Sequence, residues 1–354
     1  MVTHHIGLMS GTSLDGLDGV ILRRDSHALT VTHAVHLDMP ANLRNQLLGL
    51  NSPGNNELHL ASLAANELVR GYAQVVNRLL SDARLPRSAI RAIGAHGQTV
   101  RHQPAPPGTR ASIDAPWVAY TTQLNNPALL AELTGLTVVA DFRSRDVAAG
   151  GQGAPLVPAF HRAVFSQPDT HVAVVNIGGM ANVTLLPPDG SVTGFDTGPG
   201  NVLMDLWCER HTGQRFDAGG AWGAQGSVQI ELLEHMLQDP YFNLTGPKST
   251  GRELFNAEWI DRHLAARDMA HVAAPDVQAT LCALTAHSIA LALPGKVRRV
   301  VICGGGAFNA QLIACLQHAL PAANVAPSDN AGLPAMDVEA AAFAWLAEQT
   351  LLGT

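Results

Sequence analysis

The chain has 354 residues, more than one hydrophobic core usually supports, so two domains are expected. Hydrophobic residues make up 47% of the chain and charged residues only 14%, which predicts a large buried interior. The formal net charge of −7 argues against a nucleic-acid-binding protein that depends on phosphate contacts. An anionic ligand would therefore need local binding devices.

The cysteines and the N-terminus indicate the cellular setting. Cys208, Cys282, Cys303 and Cys315 are far apart and form no CxxC pair, which favours small buried residues over a zinc site or a disulfide framework. The N-terminus lacks a basic region before its first apolar stretch, and no apolar run approaches the roughly 18 residues of a membrane span. We expect a cytoplasmic protein with no membrane or nucleic-acid partner.

The first predicted element is a glycine-rich hairpin. Apolar patterns predict strands over His5 to Leu8 and Gly19 to Arg23, and the segment between them, Ser10 to Gly16, is dense in turn formers. Such a turn can aim several backbone N–H groups into one concavity, where glycine lets a phosphate approach closely. Taken alone, the segment fits an ordinary tight hairpin equally well.

Side chains within this turn add to the phosphate-binding hypothesis. The hydroxyl groups of Ser10, Thr12 and Ser13 are further donors. Asp15 or Asp18 could hold Mg²⁺, directly or through water. The turn is therefore a candidate site for a polyphosphate and its metal ion.

Two histidines follow a predicted strand in the first half of the chain. A long helix is predicted from Glu57 to Leu80, and a strand runs into glycines over Ala92 to Gly97. His96 and His102 flank Gly97 to Arg101, but there is no HExxH motif and no neighbouring Cys or carboxylate. Substrate contact or a buried polar role is favoured over zinc binding. The Pro-rich stretch from Gln103 to Trp117 is predicted to be a loop.

A charged cluster extends from Asp141 to Asp146, just before a glycine-rich stretch. Its alternating charges could recognise a sugar carboxylate or hydroxyl groups through bidentate arginine contacts. A solvated, salt-bridged turn is the alternative, and the pattern alone does not decide between them.

The second half of the chain repeats the glycine-rich hairpin predicted at its start. A strand is predicted from His171 to Ile177, a turn from Gly178 to Asn182 and a second strand from Val183 to Leu186. Gly7 and Gly178 stand 171 positions apart, about half the chain. Such a repeat suggests two α/β domains of related design with parallel or mixed sheets.

The segment from Gly194 to Asn201 delivers a carboxylate, Asp196, into a Gly/Pro turn directly before a helix that begins near Asn201. A general base needs this kind of fixed placement. For an isolated aspartate, capping a helix or a turn would be the favoured alternative.

The remaining elements complete a nucleotide-binding pattern. A strand from Val300 runs into Gly304 to Gly306 and feeds a helix from about Asn309, a turn suited to a nucleotide. Lys248 lacks the glycine spacing of a Walker A motif, so a P-loop fold is disfavoured. The other helices predicted in this half are Asn201 to Cys208, Val228 to Leu237, Asp276 to Leu293 and Val338 to Leu351.

Together these segments resemble the anhydro-N-acetylmuramic acid kinase family over nearly the whole chain. The order and spacing of the motifs carry the resemblance. They are Ile6 to Gly16, Gly94 to Thr99, Asn126 to Glu132, Asp141 to Pro158, Asn176 to Asn182, Gly194 to Asp205, Gly246 to Asn256 and Cys303 to Asn309.

The resemblance implies an α/β fold of the actin-like sugar kinases, with two domains that close over their substrates across an interdomain cleft. We expect residues 1–142 to form the first domain and 143–354 the second, with the last helix able to pack back on the first. A homodimer remains an open alternative to a monomer.

The resemblance also implies the sites. The expected nucleotide contacts are Gly11, Thr12, Ser13, Leu14, Asp15, Gly16, Leu17, Asp18, Asn176, Gly178, Gly179, Asn182, Gly304, Gly305, Gly306 and Asn309. The expected sugar contacts are His96, Gln98, Asp141, Arg143, Gly198, Gly200 and Glu339. Asp15 and Asp18 are the expected Mg²⁺ ligands.

In the activity that the resemblance implies, ATP and 1,6-anhydro-N-acetylmuramic acid react to give N-acetylmuramic acid 6-phosphate and ADP. The aspartate at the position of Asp196 activates a water that attacks the anomeric carbon, while the freed O6 takes the γ-phosphoryl group. Another sugar kinase, or a non-catalytic ATP-binding sensor, would differ in its substrate panel or in its lack of sugar-dependent ADP release.

Overall fold

The computed structural model describes residues 2–11, 14–26, 28–104, 119–245, 248–252, 254–266, 269 and 271–354. Thr12, Ser13 and most of the predicted loop from Gln103 to Trp117 lie outside these residues. The chain divides into two compact units, Met1–Phe160 with Asp337–Thr354, and His161–Met336. The expected domain boundary after residue 142 stays a prediction; in this division the segment 143–160 and the C-terminal helix belong to the first unit.

Twelve strands are present in the described part of the chain. They are β1 Thr3–Met9, β2 Gly16–Arg24, β3 Leu29–Asp38, β4 Ile90–Ala95, β5 Gln98–Gln103, β6 Tyr120–Leu124, β7 Val138–Ala140, β8 Val172–Ile177, β9 Met180–Leu186, β10 Thr193–Pro199, β11 Arg299–Cys303 and β12 Asn324–Pro327.

The α-helices of the described residues alternate with these strands. They are α1 Ala41–Gly49, α2 Glu57–Ala83, α3 Pro127–Thr134, α4 Phe142–Ala148, α5 Pro158–Phe165, α6 Val202–Thr212, α7 Ile230–Leu237, α8 Ala257–Ala266, α9 Ala274–Ala292, α10 Ala310–Ala319 and α11 Val338–Leu352. Each helix predicted from the sequence is found within a few residues of its expected bounds.

The two units share one sheet design. The first sheet has the order β3-β2-β1-β4-β7 and the second the order β10-β9-β8-β11-β12. In each, the first three strands along the chain form an antiparallel meander, and two parallel strands extend the sheet from its first strand. The repeat predicted from Gly7 and Gly178 is therefore a repeat of topology. A separate antiparallel pair, β5 and β6, stands apart from the first sheet.

Each unit has its own hydrophobic core. In the first, the apolar face of α2 packs with β1, β2 and β4 around residues such as Leu68 and Tyr72. In the second, α9 lies at the centre, buried along most of its length, with Trp207 and Trp259 packed around it. All four cysteines carry thiols; Cys315 is half-buried and the other three are buried.

The C-terminal helix α11 lies on β1 and β4, and two glycines permit this close approach. Gly7 and Gly94 face each other in the parallel pair of β1 and β4. A Cβ atom on Gly7 would overlap the carbonyl oxygen of Ala340, and one on Gly94 that of Phe343. The packing fixes the first turn of α11, which carries Glu339, against this part of the first unit.

We expect Gly94→Ala to lower the free energy of unfolding by about 1–3 kcal/mol, the usual cost of overpacking a core, because backbone atoms of α11 leave no room for the added methyl group. Gly49→Ala, at the end of α1 with open space around its Cβ position, is the matched control. Chemical denaturation of the three proteins measures the difference. Equal stability of the two variants would contradict this account of the packing.

Candidate active site

The first candidate phosphate-binding segment is the turn between β1 and β2. The N–H of Leu14 donates to the Gly11 carbonyl at 3.2 Å, and Leu14 has a left-handed backbone with φ of 55°. The hydroxyl of Ser10 is buried and donates to the side-chain oxygen of Gln98, which is also buried. The hydroxyl of Ser10, expected as a donor to a phosphate, thus donates to Gln98 inside the protein.

Asp15 and Asp18 lie where the turn enters β2. Asp18 Oδ1 is 2.6 Å from Nδ1 of His36 on the neighbouring strand β3. Burial raises the pKa of Asp18, and the pKa of His36 is raised because its Nδ1–H donates a hydrogen bond to the Asp18 carboxylate. The sequence interpretation missed His36, because only the pairing of β2 with β3 brings it opposite Asp18.

The carboxylates suit a magnesium ion that arrives with its ligand. Among the described residues no group of three or more His, Cys, Asp or Glu side chains is assembled as a metal cage. Mg²⁺ commonly takes one or two protein carboxylates and completes its octahedron with phosphate oxygens and water. Asp15 and Asp18 fit that donor set, and the imidazole of His36 does not belong to it.

A second polar group, at the ends of β4 and β7, is centred on Arg143 in helix α4. Its Nε donates to His96 Nε2 at 2.7 Å, and Nη1 donates to the carbonyl of Gly153 at 2.7 Å. The amide of Gly153 in turn donates to Asp146 Oδ2 at 2.7 Å. Three motifs that the sequence analysis singled out separately thus converge on one guanidinium group.

The charges of this group are set by burial. Burial lowers the pKa of His96 to about 3, with Arg143 adding to the effect, so the imidazole is neutral and accepts through Nε2. Its proton lies on Nδ1, which is near the carbonyls of Ser10 and Gly97 without reaching hydrogen-bond geometry. His102 contacts Thr121 Oγ1 at 2.9 Å, so the two histidines have different hydrogen-bond partners.

Glu339 lies close enough to Arg143 for their charges to interact. Burial disfavours the charged form of both side chains. It raises the pKa of Glu339, an effect that Arg143 opposes, and it lowers the pKa of Arg143. Both side chains keep some accessible surface. Ionisable side chains whose pKa is shifted both by burial and by a charged partner are frequent at functional sites.

Asp141 is exposed and has a left-handed backbone with φ of 64°, directly after β7. Such a conformation is unfavourable for an aspartate and concentrates at functional sites. The residues after it form helix α4, so the alternative interpretation of this segment as a salt-bridged turn is wrong. The helix begins here because Asp141 turns the chain sharply away from the sheet.

In the second unit, three glycine-rich segments pack on one another. The turn between β8 and β9 is shorter than predicted, because β9 already begins at Met180. The amides of Gly200 and Asn201 donate to the carbonyls of Gly179 and Gly178 at 2.9 and 2.8 Å. A Cβ atom on Gly200 would overlap the Gly178 carbonyl oxygen, so the start of α6 is seated on the hairpin.

The third segment, Gly304 to Gly306, packs against the same strand end. Gly304 has a φ of 78°, and a Cβ there would overlap the side chain of Asn176. A Cβ on Gly306 would overlap Ile177. Asn309 caps α10, its Oδ1 accepting from the Leu312 amide at 3.0 Å. These turns therefore form one glycine-lined surface at the ends of β8 and β11.

Asp196 lies within β10, the edge strand of the second sheet. The pairing of β10 with β9 shifts between Asp196 and Gly198, so Thr197 is bulged, and its hydroxyl donates to the Ala181 carbonyl at 3.2 Å. Bulges of this kind redirect side chains and are frequent beside active sites. Asp196 precedes α6 by several residues and does not cap it, so the capping interpretation is wrong.

Residues from a distant part of the chain hold Asp196. Its Oδ2 accepts from the Ser249 hydroxyl at 3.2 Å and from the Thr250 amide at 3.1 Å. Its amide donates to the Lys248 carbonyl at 2.9 Å, and its carbonyl accepts from the Tyr241 hydroxyl at 2.9 Å. Lys248, Ser249 and Thr250 lie in the family motif from Gly246 to Asn256, for which no role was predicted.

A comparison with protein families gives a match to the model described as anhydro-N-acetylmuramic acid kinase over residues 3–353. The chain belongs to the anhydro-N-acetylmuramic acid kinase family. The two sheets and the helices between their strands confirm the predicted α/β fold.

Curated relatives carry the same name. The chain is 54% identical to a protein of Albidiferax ferrireducens over 98% of this chain and 93% of the relative. It is 53% identical to one of Bordetella avium over 97% and 88%, and 47% identical to one of Nitrosomonas europaea over 98% and 93%. Each is called anhydro-N-acetylmuramic acid kinase.

Among solved structures, the fold is similar to an activator of 2-hydroxyisocaproyl-CoA dehydratase from Clostridium difficile with bound ADPNP. The TM-score is 0.49 and the identity 14%, over 99% of this chain and 98% of that one.

Over the described ranges, every helix is too short or too polar to cross a bilayer.

We expect the protein to lose stability as the pH falls below 6.5. A buried histidine that stays neutral in the folded protein takes up a proton near pH 6.5 once the protein unfolds. Because the unfolded state then binds more protons, a falling pH stabilises it relative to the folded state. For His96 this costs about 2 kcal/mol between pH 7 and pH 5. Chemical denaturation at both pH values measures the loss, and His96→Gln, which keeps a side-chain acceptor, should reduce it by most of that amount.

His59→Gln, on an exposed part of α2, is the control and should keep the pH dependence of the unsubstituted protein. The same pH dependence in both variants would contradict a neutral, buried His96.

Proposed function

We propose that this protein transfers the γ-phosphoryl group of ATP to O6 of 1,6-anhydro-N-acetylmuramic acid while water opens the anhydro bridge. The products are N-acetylmuramic acid 6-phosphate and ADP, and the physiological role is peptidoglycan recycling and amino-sugar catabolism in the cytoplasm. Family membership over nearly the whole chain supports the proposal. The observation that carries the chemistry is the Asp196 carboxylate, held at a bulge by four hydrogen bonds to its side chain and backbone.

In this proposal Asp196 is the general base. It takes a proton from a water molecule, whose oxygen forms a bond to the anomeric carbon C1. The bond between C1 and O6 breaks, and O6 attacks the γ-phosphorus as the bond to the ADP oxygen breaks. The proton passes from Asp196 to solvent after turnover. A base fixed in orientation before the substrate arrives is what this step requires.

The glycine turns are proposed to bind the phosphates of ATP through backbone N–H groups. In the first unit the proposed contacts are the described residues of the Gly11 to Asp18 segment, together with Thr12 and Ser13. In the second unit they are Asn176, Gly178, Gly179, Asn182, Gly304, Gly305, Gly306 and Asn309. The Cβ positions of Gly179 and Gly305 have no close neighbours, which leaves room for a phosphate beside these two residues.

Mg²⁺ is proposed to bind through Asp15 and Asp18, directly or through water. When bound, it would neutralise negative charge on the phosphates during transfer. Asp18 is already oriented by His36, which holds its Oδ1 at 2.6 Å. The chain thus offers one oriented carboxylate and a second close by in the same turn.

The sugar is proposed to contact His96, Gln98, Asp141, Arg143, Gly198, Gly200 and Glu339. Arg143 uses Nε and Nη1 in contacts with His96 and Gly153, which fix the plane of the guanidinium group. Its Nη2 donors are suited to a carboxylate or hydroxyl groups of the sugar. Glu339, on the glycine-fixed start of α11, adds an acceptor beside it.

The test of the proposed function is a coupled ADP-release assay with purified protein, Mg·ATP and either the anhydro sugar or its non-anhydro counterpart. We expect sugar-dependent ADP release and a sugar 6-phosphate with the anhydro sugar, and much slower release with the counterpart. No ADP and no sugar 6-phosphate would overturn the proposal. Turnover confined to a different sugar in a substrate panel would indicate another sugar kinase.

We expect Asp196→Asn to lower kcat by at least ~10² to 10⁴, the usual range for a positioned base. Binding of ATP and sugar, measured by calorimetry, should stay close to that of the unsubstituted protein because the amide has the same shape. Asp189→Asn, in the turn between β9 and β10, is the control and should keep full activity. Near-normal turnover of Asp196→Asn would move the base elsewhere, with Asp141 the next candidate.

A further inference from the structure

We infer that Ser249 is a positioning residue for the Asp196 carboxylate and acts together with the backbone N–H of Thr250. The inference rests on the proposed function, in which Asp196 is the base. It assigns a role to a segment 53 positions further along the chain.

Both contacts end on one carboxylate oxygen. The Ser249 hydroxyl and the Thr250 amide donate to Oδ2 of Asp196 at 3.2 and 3.1 Å. Two donors on one oxygen restrict rotation of the carboxylate about its terminal bond. They also disfavour protonation at Oδ2, because an added proton would face two existing donors. Proton abstraction is therefore directed to Oδ1.

The same segment is fixed to the backbone of Asp196. An edge strand normally offers its outward N–H and C=O groups to solvent. Here the Asp196 amide donates to the Lys248 carbonyl and the Asp196 carbonyl accepts from the Tyr241 hydroxyl, each at 2.9 Å. Lys248 and Tyr241, which both bind the backbone of Asp196, also contact each other. The Lys248 ammonium donates to the Tyr241 carbonyl at 3.0 Å and lies 4.5 Å from the centre of the Tyr241 ring.

The bulge at Thr197 and the segment from Lys248 to Thr250 orient Asp196 in different ways. The bulged Thr197 is fully buried and sets the direction in which Asp196 leaves the strand. Ser249 and Thr250 then set the rotation of the carboxylate.

Ser249 is suited to a direct test because it is exposed. In the contacts described its hydroxyl donates only to this half-buried carboxylate, and its removal leaves little space to fill. Loss of the hydroxyl should therefore change the carboxylate more than it changes the fold. The Thr250 contact comes from the backbone and remains in every side-chain variant.

The experiment compares Ser249→Ala, Ser249→Cys and Ser249→Thr in the ADP-release assay across pH, with melting temperatures as the check on folding. We expect Ser249→Ala to lower kcat about 10-fold or more, as for loss of a hydrogen bond to a charged group, with little change in either KM. The acid limb of the kcat profile should move to higher pH, because a carboxylate that loses a donor is protonated more readily.

The other two variants change the strength of the hydrogen-bond donor at position 249. The weaker donor in Ser249→Cys should give an intermediate loss, and the retained hydroxyl in Ser249→Thr should restore most of kcat. Ser191→Ala is the matched control, because Ser191 donates to Asp189 at 2.6 Å in an exposed turn of the same unit. It should leave kcat and the acid limb unchanged.

The outcomes separate this inference from the proposed function. An active unsubstituted protein whose Ser249→Ala variant keeps kcat and the acid limb would overturn the positioning role alone. A loss of kcat that does not follow donor strength, or that appears with an unmoved acid limb, would also overturn it. An unsubstituted protein without sugar-dependent ADP release would overturn the proposed function itself.

Discussion

The placement of Asp196 is the constraint on which the site of the second unit depends. Asp196 lies on an edge strand, which has a neighbouring strand on one side only. The bulge at Thr197 redirects the side chain, and the segment from Lys248 to Thr250 holds its amide and Oδ2. A base that is oriented before substrates bind need not pay for its ordering during the reaction. The proposed chemistry follows from that preorganisation.

Glycine has two different uses in the two units. At Gly7 and Gly94 it removes side chains so that α11 can approach the sheet and fix Glu339 near Arg143. At Gly200 it lets the start of α6 rest on the hairpin between β8 and β9. The first use determines where a charged side chain stands, and the second shapes the surface that is proposed to meet phosphate.

Local patterns predicted much of the fold. The hairpins at Gly7 and Gly178 were predictable because apolar strands flank glycine turns, and the family motifs pointed to Asp196. Strand β3 was missed, although its pairing with β2 sets His36 against Asp18. The contact of Ser249 with Asp196 could not be predicted either, because it joins residues 53 positions apart and exists only once the chain has folded. Such partners are fixed by tertiary packing and leave no local pattern.

The most direct test of the account is a crystal structure of the protein with the anhydro sugar and a non-hydrolysable ATP analogue. The account predicts Asp196 Oδ1 within hydrogen-bond distance of a water molecule that faces C1 of the sugar, with Ser249 and Thr250 still bound to Oδ2. An Asp196 carboxylate far from C1, or a different acidic side chain against that water, would contradict it.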